Sequence, residues 1–111
     1  MTNEINSWKF YVAGVKHHSI HKVIDKMKEG QSLDLTLEPT NPYDPHAVRI
    51  EYHTFEGEVM IGYVPAKISE QVSQSILDPS NWTQCVIVEL DVAASPWKQL
   101  KVKIERRPKD E

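Results

Sequence analysis

The sequence predicts a small, mainly β protein with two short helices, whose six strands pair mostly antiparallel and close into a barrel. Six short segments are rich in β-branched and aromatic residues or alternate between apolar and polar residues, which is typical of strands. Two further segments show the helical period of about 3.6 residues. No regular strand–helix–strand repeat demands a parallel sheet, so a closed antiparallel sheet is the most economical arrangement.

The first strand is predicted at residues 8–15, and a helix follows it. Gly14 inside this strand indicates a bulge or a close approach by another backbone. Ser19 is suited to cap the helix, and Gly30 is suited to end it. Four apolar residues recur at positions i, i+3, i+4 and i+7 and form one face of this helix: Ile20, Val23, Ile24 and Met27.

The other five strands are predicted at residues 33–37, 48–52, 59–64, 84–92 and 99–105. A polar turn that contains Gly57 joins the second and third of these segments, which predicts a hairpin. The second helix begins at Pro65, a residue favoured in the first helical turn, and it ends before Pro79. Apolar residues spaced four apart give this helix one inward face.

One domain accounts for the chain, because 111 residues are enough to bury a core without disulfides or metal. We assign this domain to residues 8–105, with tails at 1–7 and 106–111. Cys85 has no second cysteine to pair with and lies in an apolar run, so we expect a buried thiol. No apolar run approaches a membrane span, and the N-terminus lacks the regions of a secretory signal. The sequence therefore predicts a cytoplasmic protein without a membrane partner.

Charge is distributed unevenly along the chain, whose formal net charge is −3. Residues 9–28 carry five lysines and one aspartate, and residues 98–109 carry six basic residues and one glutamate. The segment between them, residues 29–97, carries eleven acidic and two basic residues. Folding could place both basic segments on one face, where they would favour a polyanion. The alternative is a pair of solvated faces with an incidental bias.

The stretch Asn-Pro-Tyr-Asp-Pro at residues 41–45 predicts a rigid loop before the third strand. Each proline fixes its own φ and keeps the preceding residue out of the α region. Such a loop holds Asn41, Tyr43 and Asp44 in fixed directions, and it loses little entropy when it grips a ligand. The alternative is an ordinary connection in which Asp44 caps its own loop.

The sequence predicts neither an enzyme nor a cofactor. His17 and His21 lack the intervening glutamate of a metalloprotease helix, and no cysteine pair completes a structural metal site. Cys85 lies in mid-strand, and no serine stands in a nucleophile elbow. The four glycines are scattered and form no phosphate-binding loop.

Several short motifs, taken in order, resemble one known family. Val-Ala-Gly-Val at residues 12–15 precedes the first helix, and Gly-Gln-Ser-Leu at 30–33 leads into the second strand. Residues 40–48 read Thr-Asn-Pro-Tyr-Asp-Pro-His-Ala-Val, and Ile-Gly-Tyr-Val-Pro at 61–65 opens the second helix. In this order and spacing the chain resembles the HIRAN domain, a module of Rad5-type helicase-like repair factors that also occurs alone in bacteria.

The resemblance implies a modified OB-like β-barrel that captures the 3′-hydroxyl end of single-stranded DNA. It assigns nucleic-acid contacts to eight residues in three groups: Lys16, His17 and His18; Asn41, Tyr43 and Asp44; and Tyr63 with Lys67. At the position where the family carries a phosphate-binding Lys or Arg, this chain has Ala66, and Lys67 follows it. For Tyr43 and Tyr63 the alternative role is packing at the barrel rim.

Our leading hypothesis is a small non-enzymatic module that recognises 3′-hydroxyl ends of single-stranded DNA in repair or replication. Its expected partners are those DNA ends and proteins of DNA repair, and exposed edge strands could also pair subunits into a homo-oligomer. One alternative is a protein-interaction module of the same fold without DNA binding, which the net charge and Ala66 favour. The other is a metal-dependent phosphoesterase that uses the histidines near Asp44.

Overall fold

A computed structural model describes residues 7–15 and 19–109 of the chain. Its strands are β1 (Ser7–Tyr11), β2 (Ser32–Leu37), β3 (Val48–Thr54), β4 (Gly57–Tyr63), β5 (Asn81–Leu90) and β6 (Leu100–Pro108). Helix α1 spans Ala66–Leu77, and short 3₁₀ turns lie at Ile20–Lys22, Ile24–Lys26 and Pro96–Lys98. Among the described residues no helix has the length and hydropathy needed to cross a membrane.

The six strands form one sheet in the order β1-β6-β5-β2-β3-β4, and every pairing is antiparallel. This confirms the predicted mainly β architecture and the hairpin between β3 and β4. The sheet itself is not closed, but its two edges meet at one point. There Ala13 and Tyr63 exchange two backbone hydrogen bonds of 2.9 Å each. The result is a barrel-like sheet whose edge strands are joined by a single bridge.

Gly62 makes this bridge sterically possible. A Cβ atom at residue 62 would lie 2.5 Å from the carbonyl oxygen of Ala13 and 2.5 Å from Cγ1 of Val12. Real side chains do not approach that closely, so β1 and β4 can meet here because residue 62 lacks a side chain. Gly14, where the sequence predicts a bulge or a close approach by another backbone, has a positive φ of 71°.

The core fills the inner side of the sheet. Strand alternation buries Val48 and Ile50 of β3 completely, together with Val102 and Ile104 of β6. Helix α1 packs against β3 and β5. Cys85 of β5 is buried as predicted, and burial raises the pKa of its thiol to about 12. Removal of this apolar surface from water stabilises the fold by roughly 25 cal/mol per Å².

Of the two predicted helices, the second is confirmed as α1, whereas the first is replaced by two 3₁₀ turns. Val23 at φ −128° and Met27 at ψ 144° leave the helical region of backbone space. The predicted inward residues Ile20, Val23 and Met27 are nevertheless buried. The β-branched side chains of this segment have a weak helix propensity. Its apolar residues are therefore buried by a backbone that does not form a continuous α-helix.

Strand β6 continues to Pro108, beyond the predicted domain boundary at residue 105. Its last residues pair with the start of β5, where Trp82 lies opposite Arg107 and Asn81 lies opposite Pro108. The sequence predicts a start of β5 at residue 84, which leaves Arg107 without a strand partner and within the predicted tail.

Candidate functional site

The loop between β2 and β3 is closed by backbone hydrogen bonds. Glu38 N–H donates to the carbonyl of Ala47 at 2.9 Å, which brings the two ends of the loop together. Inside the loop, Asn41 N–H donates to Glu38 O and Ala47 N–H donates to Asp44 O, each at 3.0 Å. The Asn-Pro-Tyr-Asp stretch is therefore held in the defined turn that its two prolines predict.

Asn41 holds the loop together with both ends of its side chain. Its Oδ1 accepts from the backbone N–H groups of Tyr43 at 2.8 Å and Asp44 at 3.0 Å. Its Nδ2 donates to Oε1 of Glu38 at 2.9 Å. These bonds use most of the hydrogen-bonding capacity of an amide side chain. Asn41 is consequently a residue that positions its neighbours.

Asp44 is held from two sides. Its Oδ1 accepts from the backbone N–H of His46 at 2.9 Å, and its Oδ2 accepts from the Ser69 hydroxyl of α1 at 2.6 Å. The Ser69 bond, followed by the His46 bond, lowers the pKa of the Asp44 carboxyl. A carboxylate offers about four acceptor positions, so an oriented anion with remaining acceptor capacity stands at this point. Asp44 therefore caps its own loop, which is the alternative role that the sequence offered, and it also anchors the loop to α1 through Ser69.

Tyr43 projects between these fixed residues into solvent. Its side chain is 94% exposed, whereas Asn41 and Asp44 are partly buried. Full exposure of a large aromatic ring removes no apolar surface from water, so packing at the barrel rim does not explain it. The ring is free to stack on a flat ligand.

Glu38 is the centre of the polar network under the loop, and it is not among the site residues that the sequence predicts. Its Oε1 accepts from the Tyr63 hydroxyl at 2.7 Å and from the Asn41 amide at 2.9 Å, and its Oε2 lies 3.5 Å from Arg49. The bonds from Tyr63 and Asn41 and the charge of Arg49 lower the pKa of the Glu38 carboxyl. Burial and the Glu38 carboxylate raise the pKa of the Tyr63 hydroxyl. Tyr63 thus contacts the centre of the loop network, and its contact with nucleic acid stays a prediction.

Arg49 extends this network across the sheet. It pairs with Oε2 of the buried Glu51 at 3.0 Å, and the other oxygen of Glu51 accepts from the Thr36 hydroxyl at 2.7 Å. Arg49 and Glu51 are i, i+2 on β3 and lie on one face of the sheet. Strand alternation could have predicted this pair, but the loop contact with Glu38 required the three-dimensional structure.

The remaining predicted residues fall into two groups. Lys67 is exposed in the first turn of α1, two residues before Ser69, so the helix that holds Asp44 also carries this cation. Lys16, His17 and His18 lie outside the described residues.

A groove along β2 forms a second polar region next to this network. This groove of about 640 Å³ is lined partly by Asp34, Glu51 and Glu58. The ligand atoms of Asp34, His53 and Glu58 lie within 4.8 Å of one another, and His53 Nδ1 is 2.7 Å from Glu58. The carboxylates of Asp34 and Glu58 make this groove unfavourable for a polyanion, whereas Glu51 is already paired with Arg49. Among the described residues, the histidine that lies in a group of possible metal ligands is His53, and Asp44 is not part of that group.

Comparison with known proteins identifies the family. The family model of the HIRAN domain matches residues 5–106, which is nearly the whole chain. This chain belongs to the HIRAN family. The match runs from before β1 to within β6, so it includes the loop and the first turn of α1.

Two solved structures share the fold of this HIRAN domain. The crystal structure of the HIRAN domain of human HLTF matches with a TM-score of 0.61 at 13% identity, over 91% of this chain and 73% of that chain. A crystal structure of a protein from Lactobacillus plantarum matches with a TM-score of 0.68 at 19% identity, over 92% and 91%. At these identities the likeness shows the fold alone.

One curated relative is a Fanconi-associated nuclease 1 homolog from Oryza sativa subsp. japonica. It is 36% identical over 45 residues, which are 40% of this chain and 5% of that protein. The chain thus spans a small fraction of the nuclease homolog. The activity named for the whole relative is not carried over to this HIRAN domain.

Proposed function

We propose that this HIRAN domain is a non-enzymatic module that binds the 3′-hydroxyl end of single-stranded DNA in repair or replication. The observation that carries the proposal is the anchored carboxylate of Asp44 beside the exposed ring of Tyr43. A fixed acceptor and a free aromatic face are the two groups that a terminal nucleotide needs. The hydroxyl donates to the acceptor, and the base or sugar stacks on the ring.

Discrimination for a free end follows from charge. Asp44 is ionised at neutral pH, and its lowered pKa keeps it ionised under mildly acidic conditions as well, so it accepts a hydrogen bond from a 3′-hydroxyl. A 3′-phosphate at the same place would put two anions together and would lose affinity. A single oriented carboxylate is thus sufficient to distinguish the two ends.

Phosphate attraction comes from the first turn of α1 and from the segment before the first 3₁₀ turn. Lys67 is exposed in that turn, where the helix dipole also favours an anion. Lys16, His17 and His18 complete the proposed site by family resemblance. The neutral Ala66 in the family's basic position makes the phosphate contact weaker than in a domain with Lys or Arg there.

An amide NMR titration tests where the ligand sits. The probe is a short thymidine oligonucleotide with a free 3′-hydroxyl, added at low salt, where the phosphate contribution is largest. We expect the largest shifts at the backbone N–H groups of Tyr43, Asp44 and His46 and in the first turn of α1. An absence of shifts would favour the protein-interaction alternative. Turnover of the oligonucleotide with added divalent metal would favour the phosphoesterase.

A further inference from the structure

The pairing of β1 with β6 places Lys9, the first lysine of the N-terminal basic segment, beside the basic segment at residues 98–109. Lys9 lies directly opposite Lys103, and Tyr11 lies opposite Lys101. The neighbouring residues Phe10 and Val102 are buried, so the lysines lie on the outer face of the sheet. Five cations on this face form what we call the basic stripe: Lys9, Lys101, Lys103, Arg107 and Lys109.

The basic stripe is not neutralised by the acidic groups around it. Glu105 lies 3.4 Å from Lys103 and 3.6 Å from Arg107, and Glu89 accepts from the Tyr11 hydroxyl at 3.4 Å. Asp78 adds a third carboxylate near Lys109, so the stripe has five basic side chains against three acidic ones, although the whole chain is negative. Among the ion pairs of the described residues, none includes Lys9 or Lys101.

Like charges directly opposite on paired strands destabilise a sheet. Lys9 and Lys103 are such a pair, and Lys101 is two residues further along the same face. An anion laid along β6 would neutralise this repulsion. The arrangement therefore favours an extended ligand with regularly spaced negative charges.

Two aromatic rings accompany the cations, one toward each end of the stripe. The ammonium group of Lys101 lies 5.4 Å from the ring centroid of Tyr11, and that of Lys109 lies 4.9 Å from the ring centroid of Trp82. Trp82 is 61% exposed at the far end of β5. Cations next to exposed rings are the usual components of a single-stranded nucleic-acid surface, where phosphates meet the charges and bases stack on the rings.

The stripe begins beside the loop site and runs away from it. Two residues beyond Tyr11, Ala13 hydrogen-bonds to Tyr63, whose hydroxyl donates to Glu38 under the loop. From Lys101 to Arg107 the strand rises by roughly 20 Å, since each residue adds about 3.3 Å. That length matches about six stacked nucleotides at 3.4 Å each.

We propose that the basic stripe binds the upstream nucleotides of the DNA strand whose 3′ end lies at the Asp44 loop. This inference rests on the proposed function and adds a second contact surface to it. The ligand class is a single-stranded polynucleotide, and its upstream part is recognised through phosphate charge and base stacking without sequence readout.

Fluorescence anisotropy with a series of labelled thymidine oligonucleotides tests the proposal. In the wild-type domain, affinity rises about tenfold or more as length grows from about three to about ten nucleotides, the range of one OB-type site. The double variant K101A/K103A loses most of that gain and binds the shortest oligonucleotide as wild type does. Its salt slope also falls by about 1.4, since each phosphate contact on a single strand contributes about 0.7.

The matched control is K22A/K26A, which removes two exposed lysines from another part of the molecule. Lys22 lies in the first 3₁₀ turn, which contacts β4, and the backbone carbonyl of Lys26 accepts from Tyr52 of β3. This control variant binds oligonucleotides of every length with the affinity of the wild-type domain. All four substitutions are at side chains outside the core, so the fold is retained.

Three results would overturn the basic stripe as a DNA surface. These are an affinity that does not depend on length, an equal loss in both double variants, and competition by a poly-glutamate peptide as strong as that by DNA of equal charge. A missing length effect with an intact preference for the 3′-hydroxyl would reject the stripe alone. A length effect without that preference would reject the end-binding function and keep the stripe.

Discussion

Asp44 links the loop to the helix, and its carboxylate is the group that we expect to discriminate between DNA ends. Replacement by asparagine keeps the shape of the side chain and removes the charge. We expect D44N to bind a 3′-hydroxyl end and a 3′-phosphate end about equally, because repulsion of the phosphate is lost. The ratio of the two dissociation constants measures this effect.

The control for D44N is D78N. Asp78 also accepts hydrogen bonds from a following serine, Ser80, through its backbone N–H and its hydroxyl. These bonds lower the pKa of Asp78 as those of Ser69 and His46 lower that of Asp44. The same substitution far from the loop therefore reproduces the local loss of charge. If D78N changed the ratio as much as D44N, the specific role of Asp44 would be refuted.

Tyr43 offers a second prediction at the residue scale. We expect Y43A to weaken binding of single-stranded DNA by about 1–3 kcal/mol, the contribution of one stacked base. Its free energy of unfolding should not change, because the side chain is 94% exposed. F55A is the matched control, since Phe55 is an equally exposed ring in the β3–β4 turn. Anisotropy and thermal unfolding together separate binding from stability, and an unchanged affinity in Y43A would remove Tyr43 from the site.

The lowered pKa of Glu38 predicts that the stability of the domain depends on pH. Its folded-state pKa is lowered below 4.5, so the ionised form stabilises the fold above about pH 4.5, and this contribution is lost as pH falls through the folded-state value. We expect E38Q to reduce the free energy of unfolding by about 1–2 kcal/mol at neutral pH, the cost of weakening charged hydrogen bonds.

Denaturant unfolding at several pH values measures the effect of E38Q. The difference between wild type and variant should shrink as pH falls below about 4.5, because Glu38 then takes up a proton in the unfolded state before it does so in the folded state. A difference that stays constant down to pH 3, or one that grows toward acid pH, would contradict the assignment of Glu38 as the ionised centre of the loop network.

At the scale of elements, the bridge between β1 and β4 depends on Gly62. We expect G62A to destabilise the domain by about 1–3 kcal/mol, since its Cβ would overlap with Ala13 O and Val12 Cγ1 at 2.5 Å. The amides of Ala13 and Tyr63 should also exchange faster with solvent. Hydrogen exchange followed by NMR detects both amides.

Gly57 provides the comparison for G62A. A Cβ there would meet no atom within 4 Å, but the residue has a φ of 122°, which side chains rarely adopt. We expect G57A to cost about 1 kcal/mol through backbone strain, with no faster exchange at Ala13 or Tyr63. Protected Ala13 and Tyr63 amides in G62A would show that the bridge does not depend on Gly62.

The elements differ in how far the sequence could predict them. Alternation and turn residues predicted the β3–β4 hairpin and the approximate position of each strand, because those signals are local. The 3₁₀ turns after residue 19 were missed, because helical spacing of Ile20, Val23 and Met27 describes which residues are buried and does not fix the backbone that buries them. The extension of β6 to Pro108 was missed because it depends on pairing with residues 81–83.

The loop site shows the same limit. The residues Asn41, Tyr43 and Asp44 were predicted from the sequence because turn chemistry and family resemblance both pointed to them. Glu38 and Ser69, which hold them, come from other elements and carry no local signal. Their roles follow from strand register and helix packing, which a single sequence does not reveal.

At the scale of the whole molecule, charge separates the two halves of the sheet. The β2–β3–β4 half carries Asp34, Glu51 and Glu58 at its groove, whereas the β1–β6 pair carries the basic stripe. A net charge of −3 is therefore compatible with a surface that attracts DNA, because binding depends on the local field more than on the total. Repulsion from the acidic groove would favour a DNA strand that lies along the stripe.

The measurement that tests the central claim most directly is a titration with two oligonucleotides that differ in the 3′ group alone. One ends in a hydroxyl and the other in a phosphate, and both carry the same fluorophore at the 5′ end. We predict that the hydroxyl end binds at least about tenfold more tightly, a difference of about 1.4 kcal/mol. The preference should persist from about pH 8 to about pH 5, since Asp44 stays ionised over that range. Equal affinity for the two ends would contradict 3′-end recognition by this HIRAN domain.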